Sequence, residues 1–124
     1  MHEALYFTKE NDNKVKCHLC PHNCLIKDGK RGLCNVRKNI EGTLYSENYG
    51  QVSAIGFDPI EKKPLYHFHP GSFILSVGSF GCNLKCDFCQ NWEISQSTIE
   101  EINRNQTHTP SDIIDIALQR EDNT

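Results

Sequence analysis

The stretch Gly78–Trp92, GSFGCNLKCDFCQNW, carries Cys82, Cys86 and Cys89 at x3 and x2 spacings, directly behind the apolar run FILSV, Phe73–Val77. A closed structural metal site takes four ligands, and iron–sulfur clusters are ordinarily held by four thiolates. Three thiols leave one position open, which a reactive centre needs and a structural one lacks. Ser72–Val77 is nearly continuously apolar and bounded by Gly71 and Gly78, which predicts a parallel strand covered on both faces. The cysteines would then lie at its C-terminal end, where barrel-type α/β folds carry their active-site loops.

Downstream, a polar stretch runs from Glu93 to His108, and TPSDIIDIALQRE then reads as a helix. Thr109 suits the N-cap, Pro110 the first helical position, and Asp112 the first turn, where negative charge complements the dipole. Ile113, Ile114, Ala117 and Leu118 recur at helical spacing and predict one buried face. Upstream, TLYSE and QVSAIGF flank the turn-prone NYG and predict a hairpin. DPIEKKPLYHFHPGS holds Pro59, Pro64 and Pro70, which disfavours a long regular element. The reading is three segments: a Cys-rich, loop-rich region over 1–42, a hairpin and Pro-rich connector over 43–71, and the start of an α/β unit over 72–124.

Composition narrows the function classes. The chain has 124 residues, 23% of them charged, with a formal net charge of −3. Bulk electrostatics therefore favours neither nucleic acid nor membrane. The N-terminus has no signal-peptide pattern, and no apolar run approaches the ~20 residues of a membrane span. The chain reads as soluble and cytoplasmic. Seven cysteines in such a setting point to metal or cluster binding rather than disulfides. They form two groups, Cys17, Cys20, Cys24 and Cys34, then Cys82, Cys86 and Cys89.

CNLKCDFC resembles the C-x3-C-x-aromatic-C signature of the radical S-adenosylmethionine (radical SAM) enzymes. With CHLCPHNC, GLCNVR, DPIEKKPLYHF and GCNLKCDFCQNWEISQ, the chain from Cys17 onward is similar to the radical SAM member of the AmmeMemoRadiSam system. That group is related to the pyruvate formate-lyase activating enzymes. The resemblance implies a [4Fe–4S] cluster on Cys82, Cys86 and Cys89, with SAM on the open iron and Phe88 beside the adenine. It implies reductive cleavage of SAM to a 5′-deoxyadenosyl radical and hydrogen abstraction from a protein or small-molecule substrate. An electron donor such as flavodoxin or ferredoxin would serve it, making the enzyme an oxidoreductase. It further implies an α/β fold: the first strand–loop–helix unit of a TIM-like barrel, preceded by the Cys-rich, short-strand region. The barrel would be truncated, because a full one takes ~250 residues. This chain alone would then be a poor enzyme, with the apolar helix face lacking part of its cover.

Other readings stay open from the residues alone. The three cysteines could form a zinc site with His67 or His69. Cys17-x2-Cys20-x3-Cys24-x9-Cys34 suits structural zinc, a second iron–sulfur cluster, or packed reduced thiols, with His18 or His22 as substitute ligands. Lys27, Lys30, Arg31, Arg37 and Lys38 suit a solvated basic loop better than a nucleic-acid-binding module. Lys62, Lys63 and His67 either line a substrate path or are ordinary surface groups. Gly78 and Gly81 would let backbone approach a cluster, with Asn83 and Asn91 donating to its sulfurs. His2 and His108 read as surface residues. The alternatives to an enzyme are thus a non-catalytic zinc module and a simple electron carrier.

Overall fold

A computed structural model describes residues 2–100 and 106–119, which divide into two compact units. The first comprises residues 1–49 and 80–104, and the second residues 50–79 and 105–124.

The first unit holds two antiparallel three-stranded sheets. One has the order β1 (His2–Glu3), β6 (Thr43–Ser46), β5 (Arg37–Ile40). The other has the order β2 (Phe7–Lys9), β3 (Val15–Cys17), β4 (Leu25–Ile26). Ala4, Val15, Cys17, Ile26 and Leu44 form its buried core, with Phe7 and Cys24 packed against them. Val15 and Leu44 are fully buried, and burial of such a side chain stabilises by roughly 1.5–3 kcal/mol. β5 and β6 pair from Arg37↔Ser46 to Ile40↔Thr43 across a two-residue loop. Glu41 and Gly42 both have positive φ, 53° and 83°, as the turn twist of a tight hairpin requires.

Asn39 holds this unit together from inside. It is completely buried. Its Nδ2 donates to the carbonyls of Asn13 at 2.6 Å and Ile26 at 2.9 Å. Its Oδ1 accepts from Gly42 N–H at 2.9 Å. One amide thus ties the β2–β3 loop, the end of β4 and the β5–β6 turn.

In the second unit, β7 (Gln51–Val52) pairs antiparallel with β10 (Gln106–Thr107), and β8 (Ala54–Pro59) with β9 (Phe73–Gly78). A 3-10 turn over Ile60–Lys62 follows β8, and Ile60 is fully buried. α2 (Pro110–Leu118) follows β10, while the short α1 (Trp92–Ser95) lies in the first unit.

The architecture corrects the expected fold class. The described residues form small antiparallel sheets with two short helices, not the first unit of a TIM-like α/β barrel. β9 pairs antiparallel with β8 through six register positions, Ala54↔Gly78 to Pro59↔Phe73. Its residues are half-buried and Val77 is exposed, so the apolar run is not a strand covered on both faces. The expected hairpin of TLYSE with QVSAIGF is also absent. β6 joins β5 and β1, whereas β7 and β8 join β10 and β9. The N-terminal segment, read as loop-rich with short strands, contains five strands of two to four residues.

α2 begins as expected. Thr109 Oγ1 accepts from Asp112 N–H at 3.2 Å, and Asp112 Oδ2 accepts from Thr109 N–H at 2.9 Å. Its apolar face is not buried: Ile113, Ile116 and Ala117 are half-covered, and Ile114 and Leu118 are exposed.

Two outcomes follow from these contacts. Asn39→Leu leaves two carbonyls and one N–H without their buried partner, so the unfolding free energy should fall by about 3 kcal/mol. An unchanged denaturation midpoint would show that Asn39 is not the tie. The Asp112 carboxyl is held below the ordinary carboxylate range, first by the Thr109 backbone N–H and then by its side chain. With the folded value depressed, the cap's contribution is present above about pH 4 and is lost as pH falls through the folded value. The Thr109 amide chemical shift should follow that titration and become pH-independent in Asp112→Asn.

Candidate metal centre

All seven cysteines are free thiols. Residues Cys17, Cys20 and Cys24 lie at and within the loop joining β3 to β4, whose strands pair at Val15↔Ile26 and Lys16↔Leu25. Cys17 N–H donates to the Cys24 carbonyl at 2.9 Å, closing the loop at its base. Asn23, with φ 47°, donates its N–H to the Cys20 carbonyl at 3.3 Å, and its side chain reaches the Pro21 carbonyl at 3.2 Å. This tight turn closes the chain between Cys20 and Asn23.

Cys34 sits on a second turn. Gly32 N–H donates to Arg37 O and Asn35 N–H to Gly32 O, both at 3.0 Å. A Cβ on Gly32 would lie 3.6 Å from Cys24 Sγ, so the two turns are in contact. Cys17, Cys20, Cys24 and Cys34 therefore line one cavity of about 630 Å³, together with Cys82 and a mainly apolar wall including Leu5, Leu19, Leu33 and Val36.

Cys82 reaches this cavity because its loop is docked on the Cys34 turn. Gly81 has φ 86°, and a Cβ there would meet Val36 Cγ1 at 2.4 Å and the Cys34 carbonyl at 3.0 Å. Gly81 N–H donates to Ile94 O at 2.9 Å, and Asn35 Nδ2 donates to Gln96 O at 3.1 Å. His22 Nε2 bonds the Asn83 carbonyl at 2.7 Å. A carbonyl only accepts, so Nε2 carries the proton and Nδ1 is the nitrogen left for another partner.

Within the loop, Leu84 N–H approaches Cys82 Sγ at 3.4 Å, Cys89 N–H donates to Cys86 O at 3.2 Å, and Cys89 Sγ lies 3.4 Å from Ser95 Oγ. Cys86 is exposed, and Phe88 is 89% exposed. Among the described residues, no three histidine, cysteine or acidic side chains converge on one ion position. The donor chemistry nonetheless fits a thiolate-held group: three reduced thiols on one loop, with a backbone N–H 3.4 Å from the first sulfur.

The other residues singled out from the sequence have the following places in the structure. Gly81 serves close packing against Val36, while Gly78 is a strand residue paired with Ala54. Asn83 accepts through its backbone from His22, and the Asn91 carbonyl accepts from Ile94 and Ser95 in α1. His18 bonds Thr8 Oγ1 at 3.0 Å, and His2 stacks on Tyr49 at 3.7 Å. In the second unit, Lys62 and Lys63 pair with Asp58 at 3.0 and 3.6 Å, and His67 and His69 are exposed.

The basic loop is not uniformly solvated. Arg31 pairs with buried Glu47, at 2.5 Å from Nε and 3.1 Å from Nη2, and with Glu100 at 2.6 Å. The hydrogen bond to Glu47 raises its pKa further above the ordinary value, against the opposing effect of burial. Arg37 is buried on the cavity wall. Sequence reasoning missed both roles, and the only signal was the alternation of β5, in which Arg37 and Asn39 share the buried face.

The chain is 48% identical over 119 residues to the uncharacterized protein MJ0808 of Methanocaldococcus jannaschii, a match covering 96% of this chain and 35% of that protein. It is 33% identical over 81 residues to the uncharacterized protein MJ0674 of the same organism, covering 64% of this chain and 19% of that protein. It thus spans about a third and about a fifth of the length of these curated relatives. No protein-family model and no solved structure matches it.

The docking of the cysteine loop on the Cys34 turn depends on an absent Cβ. Gly81→Ala should lower the unfolding free energy by about 2 kcal/mol, through both the positive φ and the collision with Val36. Adding Val36→Ala should return part of the loss, because it removes the collision but not the backbone strain. Equal stability of Gly81→Ala and the parent chain in denaturant would refute this contact.

Proposed function

We propose that this chain carries the cluster-binding loop of a cytoplasmic radical SAM enzyme related to the activating enzymes. The observation that supports it is Cys82, Cys86 and Cys89, reduced and together on one short loop, in the C-x3-C-x-Phe-x0-C order that ends at Phe88–Cys89. A [4Fe–4S] cluster bound there would supply the electron for cleavage of SAM to methionine and a 5′-deoxyadenosyl radical.

The chain's own residues have plain tasks in this reading. Cys82, Cys86 and Cys89 hold the metal as thiolates. The Leu84 N–H, already near Cys82 Sγ, withdraws charge from that sulfur and so favours the reduced state. Phe88, with its ring in solvent, is free to cover an aromatic ligand. Gly81 fixes where the loop packs against the Cys34 turn. The substrate, the flavodoxin- or ferredoxin-type reductant and any protein partner belong to the whole enzyme and share the standing of this proposal. Among the described residues no helix is long and apolar enough to cross a membrane.

A second reading concerns the other thiols and is favoured by their shared cavity. Cys17, Cys20, Cys24 and Cys34 bind a separate metal, zinc or iron–sulfur, whose coordination helps fold a segment built of two- to four-residue strands. This reading is compatible with the first and would stand alone as a zinc module if the first failed.

Anaerobic reconstitution tests the main proposal. The parent chain should take up about four irons at the three-cysteine loop, and each of Cys82→Ala, Cys86→Ala and Cys89→Ala should lose them. SAM should alter the EPR spectrum of the reduced parent. Retention of the full iron content by Cys86→Ala would remove the assignment.

A further inference from the structure

The strands β3 and β4 set two thiols opposite each other. Their register runs Val15↔Ile26 and Lys16↔Leu25, and one step further places Cys17 across from Cys24. The hydrogen bond from Cys17 N–H to the Cys24 carbonyl, 2.9 Å, continues the ladder through that step. Both side chains lie on the inner face. Val15 and Cys17 are buried, while Lys16 between them is exposed. Leu25 is exposed and Ile26 buried, so alternation returns Cys24 to the face of Ile26. A Cβ on Gly32 would lie 3.3 Å from Ile26 Cδ1 and 3.6 Å from Cys24 Sγ, which agrees with a shared side. Cys17 belongs to the buried core, and Cys24 packs against it.

Directly opposed residues of an antiparallel hydrogen-bonded pair have Cα atoms ~5.5 Å apart. That separation lies within the ~4.4–6.8 Å range of disulfides, near its commonest value. Their Cβ atoms stand ~4.5–5.5 Å apart and come to ~3.5–4.5 Å in a disulfide. Cys24 precedes the first residue of β4, so its backbone is free to close that gap. Cys20 and Cys34 lie on turns, where no strand register fixes their distance to a partner. The two opposed thiols also differ in access. Cys17 has 6% of its surface exposed, Cys24 is half-buried, and both line the cavity already described.

We propose that Cys17 and Cys24 are a redox-active pair, oxidised to a cross-strand disulfide by exchange with a small disulfide compound. Cys24, the more accessible thiol, reacts first. Its sulfur bonds one sulfur of the reagent, the reagent S–S bond breaks, and one small thiol leaves. The Cys17 sulfur then bonds the Cys24 sulfur and expels the second small thiol. The pair loses two protons and two electrons, and the reagent gains both. In a reducing compartment such a bridge is transient. The inference goes beyond both readings above and needs no metal. Under the second reading, bridge and metal exclude each other, because the bridge takes two of the four thiols.

The test equilibrates the full, chelator-treated chain anaerobically with oxidised and reduced 2-mercaptoethanol. Free thiols are blocked with iodoacetamide, and a portion is mapped by peptide mass spectrometry before reduction. The remainder is reduced and its released thiols are marked with N-ethylmaleimide. Cys17 and Cys24 should be marked together, with no 2-mercaptoethanol adduct on either before reduction. In Cys24→Ser the mark on Cys17 should fall at least about tenfold, because its oxidation depends on the neighbouring thiol at high effective concentration. Cys17→Ser should leave Cys24 trapped as its mixed disulfide with 2-mercaptoethanol. Three results overturn the proposal: marking of Cys17 that persists at the parent level in Cys24→Ser, a bridge from either residue to another cysteine, or no oxidation of the two at any ratio. The parent measurement requires no substitution in the core, so an unfolded Cys17→Ser chain leaves it decisive. Iron uptake at the three-cysteine loop and zinc uptake by the reduced chain are separate measurements that none of these outcomes alters.

Discussion

The first unit depends on one buried amide. Asn39 bonds three backbone segments that are distant in sequence, at Asn13, Ile26 and Gly42. Strands of two to four residues cannot hold their register by ladder hydrogen bonds alone, and the apolar core they share is only five residues wide. A fully satisfied polar group at its edge supplies the directionality that dispersion lacks. It also fixes the positions from which the functional segments depart. β4 leads out of the loop bearing Cys20 and Cys24, and β5 follows the turn bearing Cys34.

The placement of charge in this unit follows a related logic. Glu47 is buried but meets Arg31 through both carboxylate oxygens. The pair closes the sheet edge near Val36, whose carbonyl accepts from Glu47 N–H at 2.7 Å. Six residues further on, Arg37 donates Nη2 to the Leu5 carbonyl and buries its other two nitrogens without a partner among the described residues. The two arginines of one basic segment therefore differ in their partners, carboxylates for Arg31 and a backbone carbonyl for Arg37, a distinction that net charge does not carry.

What the sequence disclosed was local in character. The Thr109–Asp112 cap is a four-residue pattern, and its geometry is set by hydrogen bonds within those residues. The grouping of the cysteines is equally local. Strand partners are not. The run Phe73–Val77 reads as doubly covered because periodicity reports apolar content and not the neighbour that covers it. Its pairing with β8 across a thirteen-residue connection was outside that pattern. The β5–β6 turn was hidden for a different reason: Glu41–Gly42 lacks the Asn or Asp that usually announces such a turn. Asn39 and Arg37 were hidden because polar residues are ordinarily exposed, and only the three-dimensional accounting of donors and acceptors shows otherwise. The apolar stripe of α2 was legible as a stripe, but its cover was not, and Ile114 and Leu118 are exposed.

The hydrogen bond from His22 to the Asn83 carbonyl makes the two cysteine groups a linked system. His22 sits between Cys20 and Cys24, and Asn83 follows Cys82 directly. Under the proposed readings, occupation of either group that strengthened or strained this bond would change the affinity of the other by the same factor, whichever were filled first. The order of loading would then govern the rate at which both were filled, but never their final joint occupancy.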